Sequence, residues 1–185
     1  DWVVTETNAA ATETLANAPL GQLLITNTVA VNDIAQIQKS TAFVALDANK
    51  PYWLEVRFNA SDATTQALAI GLQSVNTDGT LASNGVYFIK ANNSTTLTAV
   101  QQLNNSSTTV GTATMASGTF IKVGLAYNPQ NNITSLYVND LIAGSLSGAS
   151  SSLPTVNLAP TAVIKAGAAA AKTCNIDYIA FVQAR

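Results

Sequence analysis

The chain has 185 residues and a formal charge of −2, from eight basic and ten acidic side chains, with no histidine and one cysteine. Those counts exclude a Ser-His-Asp triad, a Cys-His pair, a histidine-held zinc or iron and an intrachain disulfide; the cations, scattered from Lys39 to Arg185, do not track a phosphate backbone, so no nucleic-acid partner is expected. Charged residues are 10% of the chain against about 25% in an ordinary globular protein, and hydrophobic residues reach 48%, so the surface must be built from Asn, Thr, Ser, Gln and Ala.

A chain of this length buries roughly 70% of its unfolded surface in one core, so one domain over residues 1–185 is expected. Apolar and polar residues alternate with a two-residue period almost throughout. Strands are expected near 2–6, 11–16, 21–27, 34–38, 41–46, 52–60, 66–75, 84–91, 95–103, 107–114, 119–128, 133–139, 141–145, 161–166 and 173–183. The one amphipathic helix candidate, Ala9–Ala16, alternates Thr with Ala and Glu and reads as extended instead.

In the strand near 52–60, Trp53, Glu55 and Arg57 share the polar face, which predicts an exposed Glu55–Arg57 pair. Over Ala67–Gln73, the large residues Leu68, Ile70 and Leu72 point one way. Ala67, Ala69 and Gly71 point the other, leaving a flat small-residue face for a second sheet or subunit. Residues 76–80, NTDGT, read as an Asp-Gly turn. As a calcium loop, Asp78 there has only Asp62 as a plausible second carboxylate, too few for a cation that takes six to eight oxygens.

Ile121, Val123, Leu125 and Tyr127 alternate with Lys122, Gly124 and Ala126, then a polar turn leads into Thr134, Leu136 and Val138, a half-buried antiparallel hairpin. The Ser- and Gly-rich stretch Gly144–Pro160 reads as a long surface loop, and the AGAAAA of 166–171 as a turn. In the last strand Cys174, Ile176 and Tyr178 are expected to point inward, with the cysteine a small buried hydrophobe. The chain opens at Asp1 without a methionine, and an edge strand to pair with the terminal NIDYIAFV is expected upstream. Leu23–Ile25 and Ala168–Ala171, the longest apolar runs, fall far below the ~20 residues that cross a bilayer, so no membrane partner is expected.

These pieces carry a resemblance. FIKVGLAY, a polar turn and then SLYVND resemble the hairpin of concanavalin A-like (laminin G-like) jelly-roll sandwiches. The closing NIDYIAFVQ is similar to that of structural proteins of tailed bacteriophage particles. Trp2–Thr5, Gly21–Thr26, Tyr52–Asn59, Ala69–Leu72 and Asn84–Phe88 agree, so the resemblance spans nearly the whole chain. It implies an all-β fold of two antiparallel sheets. It also implies a non-enzymatic head decoration (cement) protein on the outer surface of the phage head, a homotrimer bound to the major capsid protein and stabilising the shell by mass action.

Relatives of that fold that hydrolyse β-glucans need two neighbouring carboxylates about 5–9.5 Å apart. Here only Glu6, Glu13 and Glu55 are glutamates, none in an E-x-D-x-x-E strand, so no enzyme, metal or cofactor is expected. The alternative function is a carbohydrate- or receptor-binding module, on a phage fibre or tail or as a secreted lectin-like domain. Such a site needs exposed aromatics and hydrogen-bonding side chains. Trp53, Tyr52, Tyr87 and Asn84 are the candidates, as sugar or interface contacts.

Overall fold

The computed structural model describes residues 1–7, 12–16, 21–76 and 82–184, with the backbone alone over 13–16. Its strands are β1 (Trp2–Glu6), β2 (Thr12–Ala16), β3 (Gln22–Thr26), β4 (Ile34–Lys39), β5 (Tyr52–Ala60), β6 (Gln66–Gln73) and β7 (Gly85–Lys90). These are followed by β8 (Thr96–Leu103), β9 (Ser106–Thr114), β10 (Ile121–Asn128), β11 (Ile133–Val138), β12 (Leu141–Ser147), β13 (Ala159–Ala166) and β14 (Thr173–Gln183). They form two seven-stranded sheets, ordered β1-β4-β13-β6-β7-β8-β9 and β12-β11-β10-β5-β14-β3-β2, and every pairing is antiparallel. The result is the all-β sandwich that the two-residue periodicity predicts.

The core lies between the sheets and follows from the alternation. Leu54, Val56 and Phe58 of β5, Val123 and Leu125 of β10, and Cys174 of β14 meet Ile70 and Leu72 of β6, Val86 and Phe88 of β7 and Ile164 of β13, all buried. Each large aliphatic or aromatic side chain removed from water there contributes roughly 1.5–3 kcal/mol.

One polar residue sits among them. Gln101 of β8 is fully buried and ties the sheets together: its amide nitrogen donates to Tyr52 Oη at 2.9 Å and Thr134 Oγ1 at 2.8 Å, and Ser152 Oγ donates to its carbonyl at 2.9 Å.

Several expectations are corrected. Residues 41–46 make no strand; Val44 alone bridges to Leu158, its amide donating at 3.0 Å and its carbonyl accepting at 2.8 Å, and its side chain joins the core. The stretch 144–160 is not a surface loop. It extends β12 to Ser147, turns at left-handed Gly148, forms a short 3-10 helix (Ala149–Ser152) and buries Ala149, Leu153 and Leu158. Its Ser/Gly composition hid three apolar residues spaced to reach the core. The terminal strand finds its neighbours within the chain, β5 on one side and β3, over Thr173–Ile176, on the other.

The small-residue face of β6 is not free for a partner either. Ala69 packs with Tyr87, Val100 and Val163. Gly71, at φ +150°, lies so close to β7 that a Cβ would sit 2.7 Å from Tyr87 Cα. On that outer side of the first sheet, buried glutamines hold the backbones of Asn76 and Ala82. Gln36 donates to Asn76 O at 3.2 Å, Gln38 accepts from Asn76 N at 2.9 Å, Gln73 accepts from Ala82 N at 3.2 Å and Gln102 donates to Ala82 O at 3.1 Å. The turn predicted at 76–80 lies, beyond Asn76, outside the described residues, as do residues 9–11 of the rejected helix.

Replacing Gln101 by leucine keeps the bulk but strips a partner from three buried hydroxyls, those of Tyr52, Thr134 and Ser152. The expected loss is about 2–4 kcal/mol, read as a lower urea midpoint with an unchanged slope. An unchanged midpoint would show that the network contributes nothing net.

Candidate functional site

Ala69, Tyr87, Val100 and Val163 on the outer side of the first sheet are buried, so the face considered is the outer side of the second, and its centre is β5. Inward Tyr52, Leu54, Val56 and Phe58 alternate with outward Trp53, Glu55 and Arg57. In register, Trp53 lies between Ala126 and Val182, Glu55 between Gly124 and Ala180, and Arg57 between Lys122 and Tyr178. The neighbours of Trp53 and Glu55 are small where an indole needs room. The benzo ring of Trp53 lies over Gly124, where an added Cβ would come 2.8 Å from Cζ2. Tyr137, opposite Gly124 on β11, sets its ring 5.1 Å from the indole at 55°. The apolar stripe ends on Val182, 66% exposed, and on Ile142, 67% exposed and opposite Tyr137.

Polar groups border the stripe. A bulge between Ile176 and Tyr178 inserts Asp177 and shifts the strand by one residue, so Tyr178 points outward rather than into the core as its spacing from Cys174 predicts. Its hydroxyl donates to Glu55 Oε1 at 2.6 Å. Partial burial, then the adjoining carboxylate, push that phenol up to about 12. Arg57 pairs with Asp177, not with Glu55, and lies 4.4 Å above the Phe120 ring. Lys122 Nζ meets Asp140 Oδ1 at 2.5 Å, which raises the lysine above its usual value. Both cations on this face are therefore occupied, and Glu55 is the carboxylate that faces the indole's strand neighbours.

Of the four predicted contacts, only Trp53 stands on this face. Tyr52 belongs to the core, stacked on Tyr127 at 5.6 Å, with burial raising its phenol far above the usual range. Tyr87 is 1% exposed, packed with Ala69, Val100 and Val163 on the outer side of the first sheet, and donates to Gln102 Oε1. Asn84 is buried beside it, accepting from Asn104 N at 3.0 Å. The alternation that puts Trp53 outside puts Tyr52 inside, a signal present in the sequence. Tyr137 was reachable by the same period, whereas Tyr178 and Asp177 depend on a bulge that no pattern marks.

A further opening of about 480 Å³ lies between the sheets behind Tyr178, with Trp2, Leu23, Ile37, Ile176 and Ile179 among its lining. Of its polar lining side chains Gln22, Asp177 and Tyr178, Asp177 is paired with Arg57 and Tyr178 with Glu55. Cys174 is fully buried and its thiol is pushed up to about 12 by that burial, so it is no nucleophile. Asp62 is engaged elsewhere: it accepts from Thr64 N at 2.7 Å and Thr65 N at 2.8 Å and pairs with the nearly buried Lys172 at 2.7 Å. Asp78 lies outside the described residues, and among those described no three His, Cys, Asp or Glu side chains cluster as metal ligands.

No protein-family model matches the sequence, and no curated protein matches it as a relative. Solved structures match the fold. The carbohydrate recognition domain of Emp47p superposes with a TM-score of 0.71 at 13% identity, over 100% of this chain and 89% of that one. Arcelin-5, a lectin-like defence protein from Phaseolus vulgaris, gives 0.66 at 12% over 99% and 92%. The binding domain of botulinum neurotoxin DC, in complex with SialylT, gives 0.64 at 10% over 98% of this chain but 42% of that one. At such identities the likeness is one of fold: the chain is a concanavalin A-like jelly-roll sandwich. None of these three is described as a phage protein, so the virion assignment stands on the sequence resemblance alone.

The Asp62 carboxyl is held well below the usual carboxylate range, first by Lys172, then by the Thr65 hydroxyl and amide. A depressed folded value contributes stability that is complete above the unfolded value near 4 and is lost as pH falls toward the folded one. Asp62→Asn is therefore expected to lower the urea midpoint at neutral pH and to flatten its fall between about pH 5 and pH 2. Parallel pH profiles for the two proteins would overturn that assignment.

Proposed function

We propose that this protein is a carbohydrate-binding module and that its site is the outer face of the second sheet around Trp53. The observation that carries this reading is the half-buried indole, laid over a position without a side chain, walled by Tyr137 and one strand residue from a carboxylate that keeps acceptor capacity. A pyranose ring offers an apolar face of C–H groups to an aromatic and a rim of hydroxyls to polar groups, and the face supplies both. The lectin-like fold supports the same reading.

The module is non-catalytic in this proposal. Glu55 is oriented by Tyr178, and Asp177 and Asp140 are neutralised by Arg57 and Lys122, which suits holding a sugar rather than donating a proton to a glycosidic oxygen. A second reading keeps the head decoration role, with self-association and the major capsid protein as partner. It is supported by the sequence resemblance and by Leu141 and Ile142, 74% and 67% exposed on an edge strand, LIAGSLS, that carries no charge.

On a glycan array the native protein is expected to find ligands and Trp53→Ala to lose them, at least tenfold in affinity, with its unfolding free energy in urea within about 1 kcal/mol of native. A native protein that binds no glycan but sediments saturably with empty phage heads would replace this reading with the second.

A further inference from the structure

We propose, resting on the carbohydrate reading, that the Trp53 face takes one uncharged pyranose ring, such as a chain end or a branch, and refuses both sialylated or sulfated glycans and long flat polysaccharide runs. Two independent features of the face carry this.

The first is charge. Three carboxylates, Glu55, Asp140 and Asp177, face two cations, Arg57 and Lys122, which leaves one negative charge over the set. Each cation already has a carboxylate partner: the Arg57 guanidinium is held by Asp177 and stacked on Phe120, and Lys122 is held by Asp140. A sialic acid carboxylate or a sulfate arriving near Glu55 would have to compete with those carboxylates for Arg57 or Lys122 among the described residues, and like charges at close range cost binding. The hydroxyls of a neutral sugar instead donate to Glu55, whose second oxygen Tyr178 does not use.

The second is shape. A polysaccharide surface binds along several coplanar aromatic rings, but Trp53 and Tyr137 stand 55° apart with centroids 5.1 Å from each other. Tyr137 walls the indole instead of extending it. Across the strands the row continues through the aliphatic side chains Val182 and Ile142, while the other rings of the face are engaged, Tyr178 by Glu55 and Phe120 by Arg57.

The test is a fluorescence titration of the full chain carrying Trp2→Phe, which leaves Trp53 as the single reporter. The neutral probes are the methyl glycosides of glucose, galactose, mannose and N-acetylglucosamine, with the corresponding tetrasaccharides; the anionic probes are sialyllactose and a sulfated disaccharide. At least one methyl glycoside is expected to shift the emission, its tetrasaccharide to bind within about threefold of it, and the anionic probes to bind at least tenfold more weakly than the best neutral one. Gly124→Ala, which displaces the indole from its seat, is expected to abolish the response while the urea midpoint stays near native. Asp140→Asn, at an exposed turn, frees Lys122 and is expected to recover binding of the sulfated probe.

An anionic probe binding more tightly than every neutral one overturns the charge inference and leaves the carbohydrate reading intact. A tetrasaccharide gaining tenfold or more overturns the single-ring inference. No response to any probe overturns both inferences, and an array that is also blank overturns the carbohydrate reading beneath them.

Discussion

Everything in this structure turns on the register of β5. It lies in the interior of the second sheet, between β10 and β14, and a strand alternates its side chains strictly, so one register decides two surfaces at once. Tyr52, Leu54, Val56 and Phe58 go into the core; Trp53, Glu55 and Arg57 go outside. A slip by one residue would carry Glu55 and Arg57 into the apolar interior and leave Leu54 and Phe58 in water, a loss far larger than any single contact on the outer face. The core therefore holds the site in place without touching a ligand. Gln101 strengthens the arrangement, because its bond to Tyr52 Oη pins the start of β5 to the opposite sheet.

Where the site departs from plain alternation, local exceptions supply what a regular sheet lacks. The Asp177 bulge turns Tyr178 outward and brings one carboxylate to Arg57 and one phenol to Glu55 in a single step. Gly124 has an ordinary extended backbone, so its role is steric: the missing side chain is the seat of the indole. Both exceptions reduce local stability in a β-sheet, one by breaking the ladder and one by leaving a strand position unpacked. Their coincidence around one outward, half-buried tryptophan is what separates this face from the buried outer side of the first sheet.

That difference also explains what was legible in the sequence. Residues 52–60 are a strand with the bounds that the alternation predicts, because their apolar residues recur every second position; 173–183 keeps its predicted bounds although the period is broken at the Asp177 bulge. Trp53 is outward by the same count. Segments governed by tertiary contacts read poorly: Val44 joins the core through a single bridge, and 144–160 hides Leu153 and Leu158 among serines. Of the site, the indole was visible and Tyr137 was reachable by the same period, whereas Tyr178 is displaced by a bulge; Tyr87 and Asn84 look like exposed strand ends, yet both are buried, Tyr87 bonded to Gln102 and Asn84 to Asn104.

The two functional readings meet in the arithmetic of affinity. One pyranose ring on one indole buries little area, and a contact of that size corresponds to dissociation constants of roughly millimolar order. Sites of that strength act only when many copies face the same target, where each further contact becomes intramolecular and the effective concentration of the next site sets the avidity. On either reading, a chain with 10% charged residues and with Arg57 and Lys122 paired internally would let copies sit close without mutual repulsion. Dense display on a large assembly and weak recognition of a neutral sugar are thus compatible demands on one surface chemistry. The edge strand β12, uncharged and packed at Gly144 against Gly111 of β9, lies at the far end of the same apolar stripe as Trp53, so on the proposed reading copies paired there would extend one face instead of hiding it.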